Sequence, residues 1–445
     1  MFDMHTFNAL VNRIVWGPYT LLLFIGAGVY FTVRMRFLQL TKFRLMIDET
    51  LLKFFQPKKN KTGVSPAEAL STALAGTMGT GNIAGVATAI MIGGPGAVFW
   101  MWVSAFFGMM TKYAEVFLAI KFRRKNAAGE WVGGPMYYME NGLNMRVMGA
   151  VFAVLGLTAS FGIGNMTQIH SIAEAMRFSF QIPPLVSGAA VAVLIALVIL
   201  GGAKRIYGVS KMVVPLMSVL YIAGALFIIC NNFGSVPGAL YDIVAYAFQP
   251  APAVGGFMGA SVSRAIKIGV ERGVFSNEAG MGSASIAHAA AETDSPCRQG
   301  LWGIFEVFAD TIIACTLTAL VILVTASWHS GENGAALTVL AFQSEMGSFG
   351  GSFVSISVLF FAFASILGWS YYGEKCLEYL TGGRFSALYK GVFIGVICIG
   401  SVSRLELVWE ISNTLNGLMA LPNMIALILL SGLIIKTTNR EMKRQ

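Results

Sequence analysis

Residues 75–85 read AGTMGTGNIAG and lie in the middle of an apolar stretch that is long enough to cross a bilayer. Four of these eleven residues are glycine, and each one weakens a helix by about 1 kcal/mol relative to alanine. We therefore predict a break in the helix here. A break at membrane depth is tolerated only where protein buries it or where it lines a cavity, so the other helices are expected to enclose it as a binding site. The alternative is tight packing, since residues 81–85 also form a GxxxG pattern.

The rest of the chain has the composition of an all-α polytopic membrane protein. Hydrophobic residues make up 56% of its 445 residues and charged residues 12%. Windows of about 20 apolar residues predict eleven transmembrane helices. They cover residues 15–34, 66–92, 95–121, 148–175, 184–203, 206–230, 262–289, 299–327, 350–373, 386–402 and 408–435. The first stretch lacks a basic leader and a small-residue cleavage site, so we predict a span rather than a signal peptide.

The positive charge lies in alternate connections between these spans. The first connection carries Arg34, Arg36, Lys42, Arg44, Lys53, Lys58, Lys59 and Lys61, and the tail carries Lys436, Arg440, Lys443 and Arg444. Cations gather on the cytoplasmic side of a membrane, which predicts an outer N-terminus and a cytoplasmic C-terminus, as an odd number of spans requires. A cytoplasmic membrane face also explains the net charge of +9, so nucleic acid is excluded as a partner.

A second glycine-rich cluster lies five spans after the first. Residues 273–283 read GVFSNEAGMGS in the middle of the seventh span. If spans 2–6 and 7–11 are structural copies, their odd number of helices gives them opposite orientations. Paired interruptions at corresponding positions of two such halves indicate the binding site of a secondary transporter. The predicted units are a peripheral helix and basic loop (1–65), two five-helix repeats (66–231 and 262–435), an outer connection (232–261) and a cytoplasmic tail (436–445).

The break in the second span offers two kinds of backbone group. The half-helix that begins near Thr80 presents N–H groups and the positive end of its dipole, which favour a carboxylate. The carbonyl groups left just before it, around residues 75–78, suit a cation. Glycine allows a ligand to approach this backbone closely. Asn82 and Asn277 either cap the broken half-helices or bind ions.

Glu278 is the most informative single residue. A carboxyl at membrane depth costs about 2.5 kcal/mol or more and is rarely kept without a partner. It either acts directly at the site or forms a structural pair with Arg272 or near Glu271.

Four further spans carry polar side chains. In span four, Asn165 and Gln168 share a face that we expect to point inward. In span nine, Ser365 either binds an ion or bonds to its own helix. We expect Lys112 and Glu115 to pair in span three, and we leave Glu306 and Asp310 of span eight without a role.

Several of these segments resemble the alanine or glycine:cation symporter family. They are residues 78–85 (MGTGNIAG), the turn at 93–96 (GGPG), residues 275–284 (FSNEAGMGSA) and residues 289–296 (AAAETDSP). The resemblance extends over essentially the whole chain, including residues 16–18 (WGP). It implies the LeuT-type 5+5 inverted repeat with a peripheral first helix, and sodium-coupled uptake of alanine or glycine.

A more distant similarity to the bacterial leucine transporter implies roles for single residues. Asn82 resembles a sodium-site asparagine, Thr80 and Gly81 a carboxylate cradle, and Phe275 and Ser276 an aromatic-hydroxyl pair. Thr77 and Glu278 depart from that transporter, which has a small residue and a serine there. The predicted substrate-binding residues are Gly79, Thr80, Gly81, Gln168, Phe275, Ser276, Asn277, Glu278, Gly280 and Met281. The predicted sodium-binding residues are Ala75, Thr77, Met78, Asn82 and Ser365.

The sequence thus predicts an inner-membrane symporter that imports a small neutral amino acid together with sodium by alternating access. The expected substrate is alanine, or else glycine or D-alanine, and a monomer is sufficient. The alternative is a proton-coupled or glutamine-preferring member of the same family. An enzyme is excluded because the chain has no HExxH, GxSxG or Walker sequence, and a channel because it has no filter such as TVGYG.

Overall fold

The fold of the described residues is helical apart from one short hairpin. The computed structural model describes residues 4–54, 63–253, 255–403 and 405–443. The helices of the first half are α1 (Met4–Val15), α2 (Pro18–Arg34), α3 (Leu38–Thr41), α4 (Phe43–Glu49), α5 (Leu51–Phe54), α6 (Pro66–Thr77), α7 (Ala84–Gly93), α8 (Gly96–Lys121), α9 (Pro135–Leu143), α10 (Arg146–Phe161), α11 (Thr167–Phe180), α12 (Pro184–Ile199) and α13 (Ala203–Asn231). Strands β1 (Arg124–Lys125) and β2 (Trp131–Val132) pair antiparallel between α8 and α9.

The second half of the chain continues with nine helices in the described residues. They are α14 (Val236–Phe248), α15 (Val262–Asn277), α16 (Ser283–His288), α17 (Pro296–Val307), α18 (Thr316–Val324), α19 (Gly334–Thr381), α20 (Ser386–Val402), α21 (Leu405–Leu429) and α22 (Ser431–Met442). Two wide π-helical turns, Gly162–Met166 and Phe308–Cys315, join α10 to α11 and α17 to α18. The predicted loop cations Lys58, Lys59 and Lys61, together with Arg444, lie outside the described residues.

Within the described ranges, six helical segments are long and apolar enough to cross a membrane. They are Leu10–Arg34, Gly96–Lys121, Arg146–Phe180, Ala203–Asn231, Pro296–Val324 and Gly334–Thr381. A seventh is Ser412–Leu429 with Ser431–Met442, if this pair, bent by 59°, forms one span. The chain is therefore a multi-pass membrane protein, and the count of eleven spans stays a prediction. The last predicted span, 408–435, bends near its C-terminal end, because the bend lies at Leu430 and the expected tail continues as helix α22.

Both predicted breaks are confirmed. Helix α6, which begins with a capping box between Ser65 and Glu68, ends at Thr77, and the chain passes through a single 3-10 turn, Thr80–Asn82, before α7 begins. Helix α15 ends at Asn277, and α16 begins at Ser283. Between them, Glu278, Gly280 and Gly282 have φ angles of 54°, 95° and 81°. Left-handed backbone is readily adopted by glycine, which explains why two glycines lie in this connection.

Helix also forms in two of the connections between predicted spans. The connection 232–261 contains α14, Val236–Phe248. Between the predicted spans 299–327 and 350–373, the residues from Gly334 onward form the first part of α19. Gly347, with φ 61° and ψ −153°, bends this helix before it continues toward the centre of the protein. Helix α15 packs along α8, and α19 packs against α6, α10 and α11, so both breaks lie among neighbouring helices.

Candidate functional site

The first break is held by Gln168 of α11. The N–H of Thr80 donates a hydrogen bond of 3.1 Å to Gln168 Oε1, and Gln168 Nε2 donates to the carbonyl of Ile163 at 3.0 Å. A side chain at Gly79 has no room, because its Cβ would lie 2.8 Å from Gln168 Oε1 and 2.9 Å from Ser365 Oγ. Gln168 therefore links α11 to the start of the second half-helix, which agrees with the inward face predicted for it.

Asp310 joins the two breaks. Asn82 Nδ2 donates to Asp310 Oδ1 at 2.8 Å, and Ser276 Oγ donates to Asp310 Oδ2 at 2.8 Å. Thr311 Oγ1 donates to the same Oδ2 at 2.7 Å, and the Cys315 sulfur lies 3.3 Å from Ser276 Oγ. One carboxylate thus bonds to a residue of each broken span, and it comes from the wide turn of a third span. Asp310 had no predicted role, although a carboxyl at membrane depth was the signal that could have assigned one.

Two oxygens at the first break are buried without a hydrogen-bond partner among the described residues. They are Thr80 Oγ1 and Asn82 Oδ1. Leaving a buried acceptor unpaired costs about 1–3 kcal/mol. Hydroxyl and amide oxygens are also ligands that hard cations take in proteins. The Asp310 carboxylate lies next to Asn82. Together, these oxygens are better suited to bind a small cation than to serve only as a helix cap.

The other predicted sodium-binding residues, Ala75, Thr77, Met78 and Ser365, are brought together only in part. Ser365 Oγ donates to the carbonyl of Gly76 at 3.0 Å, so Ser365 bonds across to α6 rather than back to its own helix. Thr77 Oγ1 bonds within α6 to Ala73 O at 3.3 Å, and Met78 Sδ accepts from Ser218 at 3.8 Å. Ala75 is buried on α6 and offers only its backbone.

The second break is held by Glu278 and its two donors. Trp369 Nε1 donates to Glu278 Oε1 at 2.9 Å, and the Ser283 hydroxyl donates to Oε2. These bonds differ from the predicted structural pair of Glu278 with Arg272. Arg272 Nη2 instead lies 3.9 Å from Glu271 Oε1, and the Arg272 guanidinium lies over the Phe275 ring at 5.6 Å. Glu278 therefore connects α15 to α16 and to α19.

The start of α16 has a further set of partners that the sequence did not predict. The N–H of Gly282 donates to Glu115 Oε1 at 3.0 Å, and Asn423 Nδ2 donates to the same oxygen at 2.7 Å and to the carbonyl of Gly280 at 2.8 Å. The Tyr138 hydroxyl donates to Asn423 Oδ1. Asn277 Oδ1 accepts from the N–H of Ala279 at 3.0 Å and Asn277 Nδ2 donates to Thr311 Oγ1 at 3.1 Å, so Asn277 holds the connection after α15 and caps neither half-helix. Met281 is fully buried within this connection.

The predicted pair between Lys112 and Glu115 is wrong. Lys112 Nζ lies 3.2 Å from Glu306 Oε1, and His288 Nε2 lies 3.0 Å from Glu306 Oε2. Glu115 instead binds the start of α16. A spacing of three residues placed Lys112 and Glu115 on one face of α8, but other helices supply a closer partner for each charge.

All of the predicted binding residues are buried, and none is more than 4% exposed among those with a stated exposure. The two breaks, Gln168 and Ser365 thus form one occluded polar centre in a chain that is otherwise largely apolar.

The comparisons with known proteins agree with this geometry. The sequence profile of the sodium:alanine symporter family matches residues 1–445. The chain belongs to this family. The sodium/alanine symporter AgcS of Methanococcus maripaludis is 47% identical over 436 residues, which cover 96% of this chain and 95% of that protein. The probable sodium/glutamine symporter GlnT of Bacillus subtilis is 39% identical and covers 98% of this chain and 90% of its own.

A solved structure shows the same fold. It is that of MhsT in complex with L-phenylalanine, with a TM-score of 0.61 at 16% identity, covering 83% of this chain and 90% of that one. The family member described here therefore has a LeuT-like fold. It is a cation-coupled amino-acid symporter and not an enzyme.

Proposed function

We propose that the protein couples the entry of sodium to the uptake of alanine by alternating access. The observation that carries this proposal is the pair of unpartnered oxygens, Thr80 Oγ1 and Asn82 Oδ1, beside the Asp310 carboxylate at a broken membrane helix. Polar groups of this kind at membrane depth are expensive and mark substrate or ion pathways. The names of AgcS and of the family support alanine and sodium as the substrates.

The amino acid is expected to bind between the two breaks. The turn at Thr80–Asn82 begins a half-helix whose N–H groups and dipole favour the substrate carboxylate. Gly79 and Gly81 keep this backbone accessible, and Gln168 already bonds to the N–H of Thr80. On the opposite side, the predicted contacts are Phe275, Ser276, Asn277, Glu278, Gly280 and Met281.

Sodium is expected at two places. The first is beside Asn82, where Asp310 supplies a negative charge that compensates the cost of removing the ion from water. The second lies between α6 and α19, where Ser365 meets the carbonyl of Gly76, with Ala75, Thr77 and Met78 as the other predicted ligands. In both places, the ion would be bound by groups of a broken helix and would stabilise that conformation of the break.

The proposed architecture has eleven spans, the 5+5 inverted repeat, an outer N-terminus and a cytoplasmic C-terminus in the inner membrane. The matching breaks in α6–α7 and α15–α16 support the repeat, because they lie five predicted spans apart. Two further apolar helices, α12 and α20, supply the shorter spans.

The test is uptake of labelled alanine into proteoliposomes that contain the purified protein. An inward sodium gradient should drive accumulation, whereas an equal potassium gradient should not. The second candidate function is proton-coupled or glutamine-preferring transport, and the similarity to the probable sodium/glutamine symporter GlnT supports the glutamine preference. It predicts accumulation driven by a proton gradient without sodium, or a preference for labelled glutamine over alanine.

A further inference from the structure

An apolar cleft that does not include the residues of the polar centre lies between the segment after α2 and helix α8. Its volume is about 150 Å³. One wall is an arm formed by α3 and α4, which contributes Leu40, Phe43 and Met46. Met109 of α8 and Phe308 of the wide turn contribute to the other wall, and the rings of Phe43 and Phe308 make an edge contact at 5.5 Å.

The arm leaves α2 through an unusual turn. Arg36 and Phe37 both have left-handed backbone, with φ angles of 59° and 56°. Such conformations are uncommon for residues other than glycine and persist only when the surrounding structure holds them. Here Gln39 does so, because its Nε2 donates to Thr32 Oγ1 at 3.2 Å and to the carbonyl of Phe106 at 3.4 Å. The arm is thus fixed against α8 rather than loosely attached.

The arm has apolar and cationic groups side by side on its exposed surface. Phe37, Leu40 and Phe43 are 43%, 60% and 40% exposed. Arg36 and Arg44 are exposed and Lys42 is half-buried. The acidic residues of the arm, Asp48 and Glu49, lie at the far end of α4, where Glu49 pairs with Lys53 at 2.7 Å. The half of the arm that borders the cleft therefore carries cations only.

We propose that this arm and cleft bind one anionic phospholipid of the bilayer. Several methylene groups of an acyl chain would occupy the apolar cleft of about 150 Å³, while Arg36, Lys42 and Arg44 would attract the phosphate of the headgroup. Lipid chains gain little from leaving other lipids for an apolar wall, so selectivity is expected to come from the headgroup charge. This binding site is independent of the transported substrates, and its test does not require transport.

The site adjoins the wide turn that supports the polar centre. Phe308 and Ile312 line the cleft, and Asp310 lies between them in the sequence with its carboxylate on Asn82 and Ser276. The bound lipid would therefore contact the wide turn through Phe308 and Ile312, while Asp310 of the same turn bonds to both broken spans.

Binding is tested by native mass spectrometry of the delipidated full-length protein, titrated with phosphatidylglycerol or with phosphatidylcholine of identical chains. We expect the first lipid to bind at least about tenfold more tightly to the wild type, since each nearby cation favours an anionic lipid. The variant Arg36→Gln/Lys42→Gln/Arg44→Gln should lose this preference. The variant Lys42→Gln/Arg44→Gln, which leaves the left-handed turn intact, should lose most of it.

Matched controls separate this site from general charge and bulk effects. Arg146→Gln/Lys204→Gln/Arg384→Gln removes three exposed cations elsewhere and should keep the preference. Leu40→Trp fills the mouth of the cleft and should lower the occupancy of the tight lipid, whereas Leu388→Trp, at a position that is 63% exposed, should not. Equal binding of both lipids to the wild type, equal losses in both triple variants, or unchanged binding to Leu40→Trp would each overturn the proposal.

Discussion

Neutralising Asp310 is the most specific test of the role of charge in the polar centre. Asp310→Asn keeps the size of the side chain and removes only its charge. Asn82 can accommodate the new amide, because its own Oδ1 has no partner in the described structure and can accept from the added NH₂ group. The Ser276 and Thr311 hydroxyls can still donate to the remaining oxygen. We therefore expect the variant to fold and to reach the membrane.

The expected effect is on the binding of sodium. Two unit charges about 4 Å apart interact by about 4 kcal/mol at an effective dielectric constant of 20. Desolvation of the ion and of the carboxylate offsets part of this energy. If only about 1.4 kcal/mol remains, the sodium concentration for half-maximal uptake rises tenfold.

The assay is a sodium titration of alanine uptake in proteoliposomes at saturating alanine. Thr318→Val serves as the control, because it also removes a buried polar group from this span, a hydroxyl bonded to Tyr221 at 2.7 Å, but changes no charge. Its sodium titration should match the wild type. A titration of Asp310→Asn that stays within twofold of the wild type would refute the argument and leave Asp310 as a structural link between the breaks.

Three further predictions concern the breaks themselves. Gly81→Val should abolish alanine binding in a folded protein, since even a Cβ there would lie 3.3 Å from Ser276 Cα; normal alanine affinity by calorimetry would exclude the cradle. Asn82→Ala and Ser365→Ala should each raise the half-maximal sodium concentration more than they change alanine binding, and an unchanged titration would return both residues to structural roles. Glu278→Gln should strongly weaken sodium or alanine binding if the carboxylate stabilises a transported cation, because it removes the charge while the glutamine oxygen still accepts from Trp369 and the glutamine NH₂ can donate to the Ser283 hydroxyl; near-normal uptake would show that Glu278 only stabilises the broken helix.

The sequence predicted the features that depend on local chemistry. Clusters of glycine and asparagine inside apolar windows identified both breaks to within a few residues, since these residues release the backbone from a helix wherever they occur. Gln168 was placed on an inward face by its spacing, and it contacts Thr80.

Contacts between segments that are distant in the sequence were harder to predict. Glu306 and Asp310 are four residues apart and would share a face of a regular helix. The wide turn that begins at Phe308 separates them, so that Glu306 pairs with Lys112 and Asp310 with Asn82. Asn423 had no local signal that linked it to α16. Periodicity describes one helix at a time, and the partner of a buried charge depends on which helices pack against it.

The most direct test of sodium-coupled symport measures sodium entry driven by an alanine gradient, rather than alanine uptake driven by a sodium gradient. Proteoliposomes are given an inward alanine gradient, equal sodium on both sides and a clamped membrane potential, and the entry of radiolabelled sodium is measured. Coupled transport predicts that alanine drives net sodium entry above that of protein-free liposomes, and that D-glucose in place of alanine does not. Sodium entry that is the same with and without alanine would contradict the account.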